Sequence, residues 1–464
     1  MRQLSGMDME FLAMESGTVA GHFGTVALLD PPADGRTLDV HVVRAQVASR
    51  LHLVPVLRQR LVMVMWGVDQ PYWVDDAAFD LARHVLAVQL PEGSGMDRLA
   101  EAVAELHRHR LDRNRPLWEL YFISGLSEGR SAFYLKIHHA VMDGAGWSSL
   151  MGALLDSEPG PADVPPPRSW RPEPVPTHLD LLGMSGWSMA RTSLRSMKLG
   201  LEFMARAPAF AARQVAPQLQ SGVIPLAAPP TPFNREISGA RSCVLVDMPM
   251  TSVHAVRRAV GATVNDVVMT MCAGALRRWL ADHDALPAQP LVAVVPVSVR
   301  AREDREPLGN RLALVRGLLP THLQDPIARL GAMREEMNRA RERRQSLPPQ
   351  LLVDAADIAP PLVAEAGWWI TSRVMQRVNA WNVMISNVRG PSAPRFFAGA
   401  EVVANYPVSV LVHGQGLNLS VFSIAGRLCW GLVADPTLVP DLTRIGDYLA
   451  EDLELLCQAS ILEH

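Results

Sequence analysis

The sequence predicts an α/β protein of two units, each a sandwich of helices on a sheet, and three observations carry that expectation. First, 464 residues, 48% of them apolar, exceed what a single core usually holds; chains beyond about 250–300 residues split into domains. Second, short β-rich runs alternate with segments of helical spacing over residues 1–155, and the alternation resumes from about 236. Third, residues 157–176 between these regions are dense in proline, from Pro159 to Pro176, as expected of an extended connection. The expected division is therefore 1–155, a connecting segment 156–235, and 236–464.

The elements follow in order. Residues 25–29 read as a strand and 38–53 have helical spacing. Residues 96–109 form a second helix with Leu99, Val103 and Leu106 on one face. Residues 132–137 read as a strand, and 147–155 begin a helix after a turn. Residues 178–213 are helical in pattern, and a second loop at 225–233 holds Pro229, Pro230 and Pro232. In the second unit, 291–295 and 419–424 read as strands, and 264–280 and 325–344 as helices. No repeat at a fixed period is visible.

Composition narrows the function. A net charge of −3 gives no electrostatic reason to expect nucleic acid as a partner. Cys243, Cys272, Cys429 and Cys457 lie far apart with no CxxC pair, which points to reduced thiols in a reducing, cytoplasmic compartment. Asp8 and Glu10 fall where a signal peptide needs an apolar run. No uncharged apolar stretch reaches ~18 residues, so contact with an inner membrane or lipid droplet is expected to be peripheral. The chain has no GxSxG elbow, no GxxxxGK[ST] loop and no HExxH; residues 414–419 lack the third glycine of a dinucleotide turn.

The most informative stretch is Ile137-His138-His139-Ala140-Val141-Met142-Asp143-Gly144. Successive strand side chains point to opposite faces, so His138 and His139 cannot both face one substrate, nor readily chelate one metal. One is expected to be catalytic and the other structural. His139, nearer the turn, is the candidate base. A neutral imidazole can take a proton from an alcohol, a weak nucleophile without such help, and this contributes roughly 10²–10⁴-fold. Asp143 then stands at the start of the next helix, placed to cap free N–H groups or to pair with a cation such as Arg300. The plainer alternative is a hydrogen-bonded core histidine followed by an ordinary Asp-Gly cap; the motif by itself leaves both open.

Across nearly its whole length the chain is similar to the bacterial wax ester synthase/acyl-CoA:diacylglycerol acyltransferase family, particularly its actinobacterial members. The matches run from Leu4-Ser5-Gly6-Met7-Asp8 with Phe11-Leu12 and Glu15, through Phe79-Asp80-Leu81 and Pro116-Leu117-Trp118-Glu119, to the double-histidine core. They continue with Thr231-Pro232-Phe233-Asn234, Asn265-Asp266, Pro296-Val297-Ser298-Val299-Arg300, Ser386-Asn387-Val388 and Gly414-Gln415-Gly416-Leu417-Asn418. The resemblance implies two chloramphenicol-acetyltransferase-like domains around a central tunnel, with acyl-CoA entering from one side and a lipid alcohol from the other. It implies His139 as base, Asp143 as its structural partner, and Pro116, Leu117 and Trp118 as packing near the site. Asn265 is the proposed oxyanion donor, and Asp266 a cap or orienting group for its helix. Arg389, His413 and Gly21-His22-Phe23-Gly24 depart from the family pattern.

The expected activity is therefore esterification of diacylglycerol by acyl-CoA, giving triacylglycerol, with no metal or prosthetic group. A long-chain fatty alcohol as acceptor, giving wax ester, is the nearest alternative. A peptide-forming condensation domain shares a similar histidine motif but predicts neighbouring carrier modules. A non-catalytic lipid-surface protein on the same scaffold rests on residues 187–206. There Trp187, Ala190, Leu194, Met197, Leu201 and Met204 recur at helical steps beside Arg191, Arg195, Lys198 and Arg206. That segment fits either docking on lipid or packing on its own protein. The charges of 325–344 read as a solvated face, or more sharply as an attractor of CoA phosphates. The sequence leaves the oligomeric state open.

Overall fold

The computed structural model describes residues 1–142, 144–160, 164–165, 170–177, 179–185, 227–298, 312–345, 373 and 379–462. In the first half, β1 (Arg2–Gln3) leads to α1 (Gly6–Ala13), β2 (His22–Leu29), α2 (Val40–Arg50), β3 (Gln59–Val62) and β4 (Tyr72–Asp75). Then come β5 (Val85–Ser94), α3 (Met96–Arg108), β6 (Trp118–Leu126), β7 (Ser131–His138) and α4 (Gly144–Leu154). The second half runs β8 (Ser242–Pro249), α5 (Met250–Val260), α6 (Val264–Asp282), β9 (Leu291–Ser298), β10 (Leu312–Leu319) and α7 (Pro326–Gln345). It ends with β11 (Val383–Arg389), β12 (Phe396–Phe397), β13 (Ala400–Val408), β14 (Leu417–Ile424), β15 (Arg427–Ala434) and α8 (Leu442–Leu462).

Local chemistry sets the helix starts. Ser5 and Asp8 form a capping box on α1, and Thr263 and Asp266 form one on α6. The Asp39 carboxylate accepts the N–H groups of His41 and Val42 at 2.8 Å and opens α2. In α3, Leu99 and Val103 are buried as the spacing predicts, but Leu106 is only half-buried and His107 takes the inner position.

Two six-stranded sheets dominate. One has the order β12-β13-β2-β7-β6-β5 and the other β10-β9-β11-β14-β15-β8; a small third sheet has β1-β4-β3. Strand β7 is buried at every position, so it reads as one continuous run rather than an alternation. Even Lys136 is fully buried within it. Its ammonium donates to the Leu106 and His109 carbonyls at 3.2 and 3.1 Å, at the C-terminal end of α3, and pairs with Glu119 at 2.8 Å.

The halves interlock. Strand β13, late in the chain, runs antiparallel to β2, with Tyr406 opposite Val26. The first core accordingly includes Cys429 and Val433 as well as Leu120 and Phe133. Tyr406 also donates its hydroxyl to Asp247 at 2.8 Å. The four cysteines are free thiols.

The described part of the proline-rich stretch lies along the small sheet. The Arg58 guanidinium sits 4.6 Å from the Trp170 ring, and the Glu173 N–H meets Asp75 at 3.2 Å. Beyond it, Leu181 is buried with Val64, Tyr72 and Val74. The amphipathic segment 187–206 falls outside the described residues. Helix α7 exposes Arg334, Glu335, Arg339 and Arg341, as a solvated face would, but Glu336 is buried and accepts the Leu318 N–H at 3.3 Å. Among the described residues, no single helix is long and apolar enough to cross a membrane.

Candidate active site

Strand β7 ends at His138 and the backbone turns at once. The His138 N–H donates to the Leu117 carbonyl at 3.0 Å and the His139 N–H to the Gly21 carbonyl at 2.9 Å. The two rings part company there, as strand alternation requires. The His139 ring lies between two phenyl rings. Phe11 stacks on it at 4.4 Å and 12°, and Phe23 leans on it at 4.3 Å. Trp147 of α4 meets Phe23 edge-on at 5.1 Å. Burial in this apolar slot lowers the His139 pKa to about 3. At neutral pH the imidazole is therefore uncharged, which is the form able to accept a proton.

The His138 ring is buried and faces polar partners. Its Nδ1 accepts the Ala140 N–H at 3.0 Å, so the ring proton resides on Nε2. That nitrogen lies 3.3 Å from Oε1 of Glu15. The same oxygen accepts the Gly21 N–H at 3.0 Å, while Oε2 takes Arg113 at 2.7 and 2.9 Å. Burial opposes charge on Glu15, but the adjacent His138 ring, the Gly21 N–H and the nearby guanidinium outweigh it. The carboxyl is held at about 2.

Leu117 and Trp118 flank the histidines. Trp118 is fully buried, donates its indole N–H to the Leu57 carbonyl at 2.7 Å and stacks on His84 at 4.8 Å. Its N–H is taken by the Pro116 carbonyl at 2.9 Å. Gly144 opens α4. Asp143 and Arg300 lie outside the described residues.

Asn265 belongs to the second unit, in the first turn of α6. Asn387 of β11 donates to its Oδ1 at 3.2 Å, and its own Nδ2 meets the Met337 sulfur at 3.4 Å. Sulfur is a weak acceptor, so this amide N–H retains donor capacity. Asp266 reaches back to the Thr263 N–H at 2.8 Å and caps the helix. Of the departures from the family pattern, His413 bridges the halves. Its Nδ1 accepts the Ile237 N–H at 3.3 Å and its Nε2 meets the Thr18 hydroxyl at 3.2 Å.

Sequence spacing pointed to the histidines but not to the groups that hold them. Glu15, Gly21, Phe11 and Phe23 surround the pair, and none carries a spacing signal, because each reaches the site through the fold. Only the motif resemblance around Phe11 and Glu15 hinted at them.

Known proteins identify the family. The family model described as the wax ester synthase/diacylglycerol acyltransferase catalytic domain matches residues 4–268, and the family's C-terminal domain model matches 308–457. The chain belongs to the wax ester synthase/diacylglycerol acyltransferase family. Among its relatives, a Mycobacterium tuberculosis protein named as a probable diacylglycerol O-acyltransferase is 33% identical over 461 residues, 97% of this chain and 98% of that one. The solved wax ester synthase/diacylglycerol acyltransferase of Marinobacter aquaeolei VT8 is 28% identical. It superposes with a TM-score of 0.72, covering 99% of this chain and 100% of that chain. The first condensation domain of the calcium-dependent antibiotic synthetase, 16% identical, has a TM-score of 0.58 over 98% of this chain and 96% of its own. That likeness concerns the fold alone: the family shares its two-unit α/β architecture with condensation domains.

Proposed function

We propose that this family member transfers an acyl group from acyl-CoA to the free hydroxyl of diacylglycerol, with His139 as general base. The observation that supports the mechanism is the placement of the His139 ring between Phe11 and Phe23 at the end of β7, where burial pushes its pKa down. The ring accepts the hydroxyl proton as the oxygen attacks the thioester carbon. The tetrahedral intermediate then collapses, the carbon–sulfur bond breaks, and the imidazolium returns its proton to the departing CoA thiolate. Asn265 is the candidate donor to the intermediate's oxyanion; one such donor is typically worth about 2.7–4 kcal/mol. Asp143 and Arg300 are assigned to stiffening the loop after the base.

The family's other acceptor class, a long-chain fatty alcohol, uses the same steps. The name of the Marinobacter relative supports it as a second activity. The substrates meet in a tunnel between the two units, reached by a cytoplasmic enzyme working at a lipid surface. The charge pattern of 187–206 supports that contact. The proposed units remain 1–155 and 236–464, with 156–235 between them.

Competition between diacylglycerol and hexadecanol for one labelled acyl-CoA tests the acceptor. Triacylglycerol as the main product is expected; wax ester alone overturns the diacylglycerol assignment. His139→Ala is expected to reduce turnover about 10³-fold, within the range of lost base catalysis. Undiminished transfer by a folded variant overturns the base.

A further inference from the structure

We propose that Glu15 is the positioning residue for the base, acting through His138 and Gly21 rather than touching substrate. The inference rests on His139 being that base, and the geometry around it is a closed ring of contacts. Two backbone N–H groups bracket the His139 side chain: its own and that of Ala140. The first ends on the Gly21 carbonyl at 2.9 Å and the second on His138 Nδ1 at 3.0 Å. Both of these acceptors are fixed by one atom. Oε1 of Glu15 takes the Gly21 N–H at 3.0 Å and faces His138 Nε2 at 3.3 Å.

The logic depends on an acceptor that has no proton to give. A carboxylate opposite Nε2 keeps the His138 proton on that nitrogen. Nδ1 is then bare and can receive the Ala140 N–H. With the other tautomer, Nδ1–H would point at Ala140 N–H, two donors would meet, and the turn carrying His139 would shift. Arg113 supplies the outer support. It binds Oε2 through two nitrogens and the Leu12 carbonyl at 2.7 Å, which anchors the end of α1 and keeps the carboxylate charged. Gly21 has no room for a side chain: a Cβ there would stand 2.5 Å from His138 Nε2 and 2.8 Å from the Phe11 carbonyl oxygen. The loop between Glu15 and Gly21 is held from the second unit as well, by Arg241 on the Thr18 carbonyl at 2.6 Å. A displacement well under the width of a ring is enough to spoil proton transfer, which demands hydrogen-bond reach.

The test compares Glu15→Leu with Glu15→Gln in the full chain. Glutamine can keep Oε1 as acceptor for both Gly21 and His138, whereas leucine removes it. With acyl-CoA and diacylglycerol, Glu15→Leu is expected to lower kcat at least 30-fold with KM for acyl-CoA within threefold. Glu15→Gln should stay within tenfold of the parent. Nitrogen-15 NMR of labelled histidines gives the second readout, independent of turnover. His138, assigned by loss of its signal in His138→Gln, is expected as the Nε2–H tautomer in the parent and in Glu15→Gln. Should Glu15→Leu fail to fold, the parent tautomer and the Glu15→Gln rate still decide. An Nδ1–H tautomer in the parent, a folded Glu15→Leu with parental kcat, or a Glu15→Gln slower than tenfold overturns the proposal. Failure of the base assignment itself would appear separately, as activity surviving His139→Ala while the His138 tautomer remains as stated.

Discussion

The two units surround their candidate site residues with different polar groups. Beside the first sheet, around the end of β7, stand a carboxylate, a guanidinium and two imidazoles: Glu15, Arg113, His138 and His139. Around Asn265 and Asn382 the second unit uses neutral amides, while its buried charges pair among its helices, Arg329 of α7 with Asp452 of α8 at 2.8 Å. Asn382, fully buried, donates to the Pro229 carbonyl at 2.6 Å and to Asn234 at 2.8 Å, and accepts the Val292 N–H at 2.8 Å. Asn265 and Asn387 continue the pattern at 3.2 Å. Amides donate and accept hydrogen bonds without changing charge, so they can orient and stabilise but cannot hold a mobile proton. The proposed division follows: proton transfer at His139 in the first unit, and fixed amide dipoles from Asn265 in the second.

Glycines offer the sharpest way to break this contrast. Gly21→Ala forces a methyl against the His138 ring and the Phe11 carbonyl, and its activity should fall to the level of His139→Ala. Gly416→Ala, in the second unit, meets Leu438 at 2.5 Å and the Phe233 carbonyl at 3.1 Å. It should cost about 1–3 kcal/mol in a urea titration yet leave kcat per folded molecule within a few-fold. Equal kcat losses in the two variants would erase the distinction.

Asn265→Ala comes next in size. A lost oxyanion donor is expected to lower kcat about 10²–10³-fold with little change in KM, measured with the same acyl-CoA. If KM rises instead while kcat holds, the amide binds substrate and the division of labour moves. Acid acts on stability rather than on rate. His139 and His107 are each held near 3, and His22 well below its ordinary 6.5, in every case chiefly by burial. Below 6.5 only the unfolded chain binds these protons, so their contribution is complete above that pH and erodes down towards 3. The unfolding free energy from urea titration should drop between pH 7 and 5, by at most about 1.4 kcal/mol per pH unit for each ring. Over the same range kcat/KM should show no inflection near 6.5; one appearing there would mean the base is solvated.

Elements with a strong local pattern were legible beforehand. Residues 25–29 and 132–137 anticipated β2 and β7, and 96–109 anticipated α3 to within a residue. The helix expected at 264–280 is α6, extended by two residues. Partnership was not legible. Nothing in the alternation of β13 says that it pairs with β2, more than 370 residues earlier, because register is decided by which apolar faces meet. The site divided the same way. The placement of His139 just past a strand end could be read from residue order, since the turn there is local. Glu15 could not, since its role exists only once α1 has been folded against the end of β7. The buried charge of Lys136 was likewise invisible until the end of α3 was placed above it.

The position of β13 also governs how the molecule can be made. A ribosome releasing the first 390 residues has produced β2, β7, β6 and β5, but the strand that covers the outer side of β2 does not yet exist. Until residues 396–408 emerge, β2 presents open backbone groups and an apolar flank to its surroundings, the usual template for aggregation. Completion of the first sheet must then wait for almost the entire polypeptide. A chain cut at 390 should pellet during expression, and a synthetic strand spanning 396–408 should return part of it to the supernatant.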